Sequence, residues 1–238
     1  MKLIVSGATG FVAREVIRQS LGRREITSVI ALARKPVSIP ENLEDEADSS
    51  KLKSVIVQDY DCYSEDAMNE FAGAAACIWT VAIAPSKSKM YNFEEVKRVC
   101  QTCTLAGLKT MHQSGLSKPF RFFYMSGAGN EQDPTKTLQY QSQYRHMRGE
   151  TETKVLALAN ELDVEAAIAK PGFITAPGDI LKSVIGTAVQ WSLGVPSISV
   201  VDLAAALIDQ VVNGFEKEQL LPEDLAKIAR RMQDKKQP

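Results

Sequence analysis

The run Leu3-Ile4-Val5-Ser6-Gly7-Ala8-Thr9-Gly10-Phe11-Val12-Ala13 reads as a β-branched strand, a tight turn and the first turn of a helix. Gly7 permits the chain to turn sharply after a strand that starts at residue 2. Gly10 lets main-chain N–H groups at the helix N-terminus approach an anion with no side chain in the way. Ala13 stands where a small residue allows helix and strand to pack closely, and Val16, Ile17 and Leu21 carry the apolar face to a stop at Gly22. Strand, glycine turn and amphipathic helix together point to a pyrophosphate cradle built from Gly7, Thr9, Gly10, Phe11 and Val12. The plainer reading is a strand-to-helix turn that binds nothing.

Outward from this turn, apolar runs alternate with helical patterns in the rhythm of a parallel sheet. Strands are predicted at 2–6, 27–33, 53–57, 76–82, 120–126, 164–169 and 197–200, and helices near 10–21, 64–72, 89–112, 142–160, 201–214 and 222–235. Right-handed crossovers make this a single α/β domain over 1–238, a doubly wound parallel sheet of the Rossmann kind. Residues 40–54 lack an apolar period and read as a solvated loop in place of a helix. Residues 171–196, rich in Gly, Pro and Ser, break the rhythm, and 215–238 reads as a C-terminal helix and frayed tail that docks on its own domain.

The 238 residues suffice for one full core, and 28 Lys and Arg against 29 Asp and Glu leave a net charge of −1. No basic stripe interleaved with aromatics suggests nucleic acid, and no apolar run approaches a membrane span. A strand beginning at Met1 leaves no room for a signal peptide, so a cytoplasmic location is expected. Cys100 and Cys103 have metal-ligand spacing but lie in a predicted helix without a second pair, so Cys62, Cys77, Cys100 and Cys103 read as buried thiols and no metal is expected. With His112 and His146 as the only histidines, a Ser-His-Asp hydrolase is also set aside.

The string Ser6-Gly7-Ala8-Thr9-Gly10-Phe11-Val12-Ala13 resembles the extended and atypical short-chain dehydrogenase/reductase superfamily, above all its small Tat-interacting-protein-like and NmrA-like members. The resemblance implies strand order 3-2-1-4-5-6-7 and a nicotinamide dinucleotide. Where an acid would read the ribose hydroxyl of NAD, at the end of the second strand, this chain has Arg34 and Lys35. Those cations answer a 2′-phosphate, so NADP(H) is the expected cofactor, although an exposed basic loop end would look the same. By the same resemblance Asp59, followed by Tyr60, accepts from the adenine amino group, and Thr80-Val81-Ala82 lies along a cofactor ribose. Pro171-Gly172-Phe173-Ile174, after Lys170, resembles the turn that holds the nicotinamide carboxamide, and 171–196 implies a substrate cover in which Trp191 lines a pocket or anchors the loop.

Carbonyl reduction needs a proton donor, a group orienting the carbonyl and a cation that favours the donor's anion. In the superfamily these are Tyr, Ser and Lys, with Tyr-x-x-x-Lys on one helix face. Tyr144 and Arg148 match that spacing with arginine in the lysine's place, and Gly149-Glu150-Thr151-Glu152 matches the continuation seen in atypical members. At the end of the fifth strand Gly127 stands where the second serine is usual, leaving Ser126 as the orienting residue. The expectation is an NADPH-dependent reductase of a small carbonyl compound. A non-catalytic NADP-binding sensor or scaffold and a non-redox isomerase or cyclase are the alternatives, and the plainer reading of Tyr144 is a helix tyrosine packed beside the cleft.

Overall fold

The structure, a computed structural model, describes residues 1–176 and 196–234. Nine strands are found among them: β1 (Lys2–Ser6), β2 (Ser28–Ala33), β3 (Leu52–Ile56), β4 (Ala74–Trp79), β5 (Arg121–Met125), β6 (Glu165–Ala169), β7 (Phe173–Thr175), β8 (Ser197–Ser199) and β9 (Gln219–Leu220). The helices are α1 (Phe11–Leu21), α2 (Glu65–Phe71), α3 (Pro85–Ser88), α4 (Phe93–Lys97), α5 (Cys103–Gln113), α6 (Ser142–Glu161), α7 (Val200–Asn213) and α8 (Pro222–Asp234), with a π-helical segment, Arg98–Thr102, joining α4 to α5. Seven strands form one parallel sheet in the order β3-β2-β1-β4-β5-β6-β9.

Alternate residues of each strand serve opposite faces of the sheet, which is why the central strands β1, β2, β4 and β5 are mostly apolar on both faces, while the edge strand β3 exposes Lys53, Ser54 and Ile56. Leu3, Val5, Val29, Ala31, Ile78 and Phe123 pack with α1, α7 and α8. Ile4, Ile30, Leu32, Cys77, Trp79 and Phe122 pack with α2, α5 and α6. Trp79 is fully buried, and the second layer fits around it because α5 carries Gly107, where a Cβ would lie 2.3 Å from the indole ring. α8 docks through Leu225, Ile228, Ala229 and Met232, as its apolar spacing predicts.

The expected seventh strand is displaced. Residues 197–199 do form a strand, but it pairs in parallel with β7 in a separate two-stranded sheet, and the outer position of the main sheet is taken by Gln219–Leu220. The expected loop at 40–54 ends early, since a 3-10 turn (Ser49–Lys51) leads into β3 at Leu52. The helix expected over 89–112 starts later, at Phe93, as the rod of α4, the π segment and α5, and the short α3 precedes it. Cys77, Cys100 and Cys103 are buried thiols, whereas Cys62 is exposed. Trp191 and residues 177–195 of the expected cover lie outside the described residues, as does the tail 235–238.

Candidate functional site: the carboxyl edge of the sheet

The chain leaves β1 toward one side of the sheet and β4 toward the other, so a crevice opens between their carboxyl ends, where open parallel sheets hold ligands. Gly7 sits there with φ +76°, and its amide and that of Ala8 both donate to the Leu32 carbonyl at 3.0 and 3.1 Å. A Cβ on Gly7 would lie 2.7 Å from Thr80 Oγ1, which itself donates to the Ser6 carbonyl at 2.7 Å. The loop after β4 is thus pressed onto the glycine turn, with Val81 buried and Ala82 exposed.

Gly10 caps α1 without any side-chain hydrogen bond, and the first turn of that helix carries no acid. Its leading amides and the positive end of the helix dipole are therefore left for an outside anion. Thr9, Gly10 and Phe11 are exposed around them, and Val12 turns into the core. This donor set fits a pyrophosphate. Arg34 and Lys35 are exposed just past β2, as a site for an added phosphate requires.

Asp59 follows β3, whose end is held beside β2 by the Val57 amide on the Ala33 carbonyl, 3.0 Å. Its neighbour Tyr60 is buried edge-on to Trp79, with the hydroxyl 3.4 Å from the Leu32 carbonyl that also anchors the glycine turn. Burial pushes the Tyr60 phenol up to about 12, so it serves as a neutral support. Asp59 Oδ1 accepts from the Tyr60 amide at 2.7 Å and Oδ2 from Arg98 at 2.8 Å. Burial works against the Asp59 charge, but these two donors outweigh it and hold the carboxyl below its ordinary range. Asp59, Asp61 and Cys103 have metal-ligand spacing, yet the Arg98 guanidinium stands between the two carboxylates.

Tyr144 and Arg148 project from the same side of α6. The Tyr144 hydroxyl donates to the Ile83 carbonyl at 2.9 Å, in the loop that continues from Thr80, so the phenol is brought to the same crevice. Burial raises its pKa above the ordinary tyrosine value, and the Arg148 charge offsets this only in part. Arg148 is 2% exposed and donates from Nη2 to the Met125 carbonyl at 2.8 Å, with its guanidinium 5.1 Å above the Tyr124 ring. No carboxylate among the described residues pairs with it, and its Nε lacks a partner.

The Ser126 hydroxyl donates to Glu152 Oε1 and accepts from Asn130 Nδ2 at 2.8 Å. Glu152, fully buried, also takes Lys170 Nζ at 2.7 Å and Gln132 Nε2 at 3.0 Å. Gly149 makes room for this network: a Cβ there would stand 1.9 Å from the Glu131 carbonyl oxygen. Pro171 is buried and accepts from the Ala128 amide at 2.9 Å, while Gly172, Phe173 and Ile174 lead away into β7.

The fold therefore gathers the glycine turn, the ends of β2 and β3 and the loop after β4 along one edge, with Tyr144 reaching the same loop. Inspection of the sequence missed Arg98, Asn130 and the Glu152–Lys170 pair. The Glu95-x-x-Arg98 spacing signalled an ion pair on one helix face, but nothing local signalled its link to Asp59.

No protein-family model and no curated protein matches the chain. Solved structures do. Vestitone reductase from alfalfa (Medicago sativa) superposes with a TM-score of 0.66 at 19% identity over 92% of this chain and 76% of that one. UDP-glucose 4-epimerase of Thermus thermophilus, in complex with NAD, gives 0.63 at 15% over 98% and 84%. The Bordetella bronchiseptica enzyme WbmF, in complex with NAD+, gives 0.64 at 13% over 98% and 77%. At these identities the likeness is one of fold, and it is the Rossmann fold that the resemblance to the short-chain dehydrogenase/reductase superfamily implies.

Proposed function

We propose that the protein is an NADPH-dependent oxidoreductase that reduces a small carbonyl compound in the cytoplasm. The observation that carries the reading is the Tyr144 hydroxyl on the Ile83 carbonyl, which sets a phenol at the loop backing the glycine turn. Gly7, Thr9, Gly10, Phe11 and Val12 would hold the pyrophosphate, Arg34 and Lys35 the 2′-phosphate, Asp59 and Tyr60 the adenine end, and Thr80 to Ala82 with Pro171 to Ile174 the nicotinamide half. When bound, the nicotinamide supplies a hydride to the carbonyl carbon. Tyr144 gives its proton to the oxygen, exchanging its bond to Ile83 for one to substrate. Arg148 stabilises the phenolate that remains, and Ser126 orients the carbonyl by exchanging its bond to Glu152. Among the described residues no helix is long and apolar enough to cross a membrane.

One observation favours a non-catalytic NADP-binding sensor instead. Arg148 is spent on the Met125 carbonyl and the Tyr124 ring, so the cation is already engaged and held away from solvent. NADPH oxidation across a panel of aldehydes and ketones separates the readings. For a reductase, Tyr144→Phe should keep NADPH affinity and lose roughly a hundred-fold or more in turnover. Native turnover in that variant would remove the proton-donor role, and no turnover by any form would favour the sensor.

A further inference from the structure

Arg98 opens the π-helical segment between α4 and α5 and is the hub of the charges at the carboxyl end of β3. Its Nη1 reaches Asp59 Oδ2 at 2.8 Å and Asp61 Oδ2 at 2.7 Å, while Nε and Nη2 grip both oxygens of Glu95 at 2.8 and 3.0 Å. One planar fork thus ties the loop after β3 to the helical rod. Exposed ion pairs on this scale add little to stability, so stability alone gives the arrangement little reason. Its effect on Asp59 is more specific. With Oδ1 on the Tyr60 amide and Oδ2 on Arg98, the carboxylate is pinned in orientation and held as an anion, yet its side chain keeps 38% exposure. An ionised carboxylate only accepts hydrogen bonds. Held still at the rim of the crevice, it welcomes a base that presents an amino group and repels one that presents a carbonyl oxygen in its place.

We propose that Arg98 is a specificity-determining positioning residue, which makes the base pocket select a 6-aminopurine dinucleotide over its 6-oxo counterpart by holding Asp59 as a fixed acceptor. This rests on the dinucleotide reading given under Proposed function, and goes beyond it by naming what enforces the choice of base. Arg98 acts through Asp59 and needs no contact with the ligand. Arg34, just past β2, is left to the 2′-phosphate.

The test is titration calorimetry of the native protein, Arg98→Met and Arg98→Lys with NADPH and with its hypoxanthine analogue, which carries a carbonyl oxygen in place of the amino group and a proton on the adjacent ring nitrogen. The native protein is expected to prefer NADPH by roughly ten- to a hundred-fold, the range of one charge-assisted hydrogen bond. Arg98→Met should cut this ratio to about three-fold or less, and Arg98→Lys, which keeps the charge but not the fork, should fall between. Circular dichroism checks that each variant is folded. Should Arg98→Met fail to fold, Asp59→Asn replaces it: a carboxamide can turn either edge to the base, so the ratio should again collapse. A native ratio retained in Arg98→Met or in Asp59→Asn overturns the proposal, as does equal binding of both dinucleotides by the native protein. Failure of the native protein to bind either one overturns the dinucleotide reading itself and the proposal with it.

Discussion

Replacing Glu152 by Gln probes the polar network behind the candidate site with almost no change of shape. Lys170 Nζ lies 2.7 Å from Glu152 Oε2, and the two side chains are 8% and 0% exposed. Glutamine keeps one acceptor oxygen, enough for Ser126 on the Oε1 side or for Gln132 on the Oε2 side but not both, and the ammonium then has no anion in a place water hardly reaches. Stranding one member of a buried pair costs about 3–5 kcal/mol. In a chain of this length each kcal/mol moves the melting temperature by roughly 2–4 °C, so Glu152→Gln is expected to melt about 6–20 °C below the native protein. Removing both charges, as Glu152→Leu with Lys170→Met, strands neither ion. The double variant should therefore lose less than Glu152→Gln alone, its remaining deficit being the bonds of Ser126 and Gln132 to Glu152 and of Lys170 to the Asn130 carbonyl, at about 1 kcal/mol each. Thermal and urea unfolding of the native protein and these variants measure both effects. A Glu152→Gln variant within about 1 kcal/mol of native, or a double variant less stable than Glu152→Gln, would refute the reasoning.

Arg34→Ala should narrow a native preference for NADPH over NADH by about ten- to a hundred-fold, read by calorimetry, and equal native affinities would sink the 2′-phosphate assignment. Gly10→Val sets a side chain where a Cβ already meets the Gly7 carbonyl at 3.0 Å, so the upward melting shift that NADPH gives the native protein should vanish; a full shift would place the phosphates elsewhere. Gly149→Ala pushes a methyl group into the Glu131 carbonyl and should cost about 1–3 kcal/mol, whereas an unchanged urea midpoint would mean the crossing loop yields freely. Arg98 holds Glu95 below its ordinary carboxylate range by direct hydrogen bonding, and does so for Asp59 against the opposing effect of burial. A depressed folded pKa stabilises above the unfolded value, near pH 4, and that stability is lost as pH falls through the folded one. Arg98→Met should accordingly flatten the decline of stability between pH 5 and pH 2, and an identical acid limb would count against the cluster.

How much of this was legible in the sequence follows from how far apart in the chain the interacting groups lie. The doubly wound sheet was legible because the central strands bury both faces and helices such as α1, α7 and α8 bury one, and both patterns recur within a dozen residues. The glycine turn was legible because Gly7 and Gly10 meet a need of the local backbone, a positive φ and an uncovered helix end. The basic end of β2 was legible because Arg34 and Lys35 simply follow the strand that puts them there.

Tertiary structure alone decided the rest. Residues 197–199 and 219–220 are both short enough to close the sheet, and only the packing of the whole α7 and α8 layer gives the edge to Gln219–Leu220 and leaves 197–199 to β7. Glu152 and Lys170 stand on a helix and after the strand that follows it, and Asp59 and Arg98 lie in different crossovers of the sheet. Spacing along the chain carries no trace of such pairs, since a charged side chain reads alike in solvent and in a buried network. They meet because the strand order sets which carboxyl ends are neighbours, and burial then turns an ordinary charge into one that must find its partner.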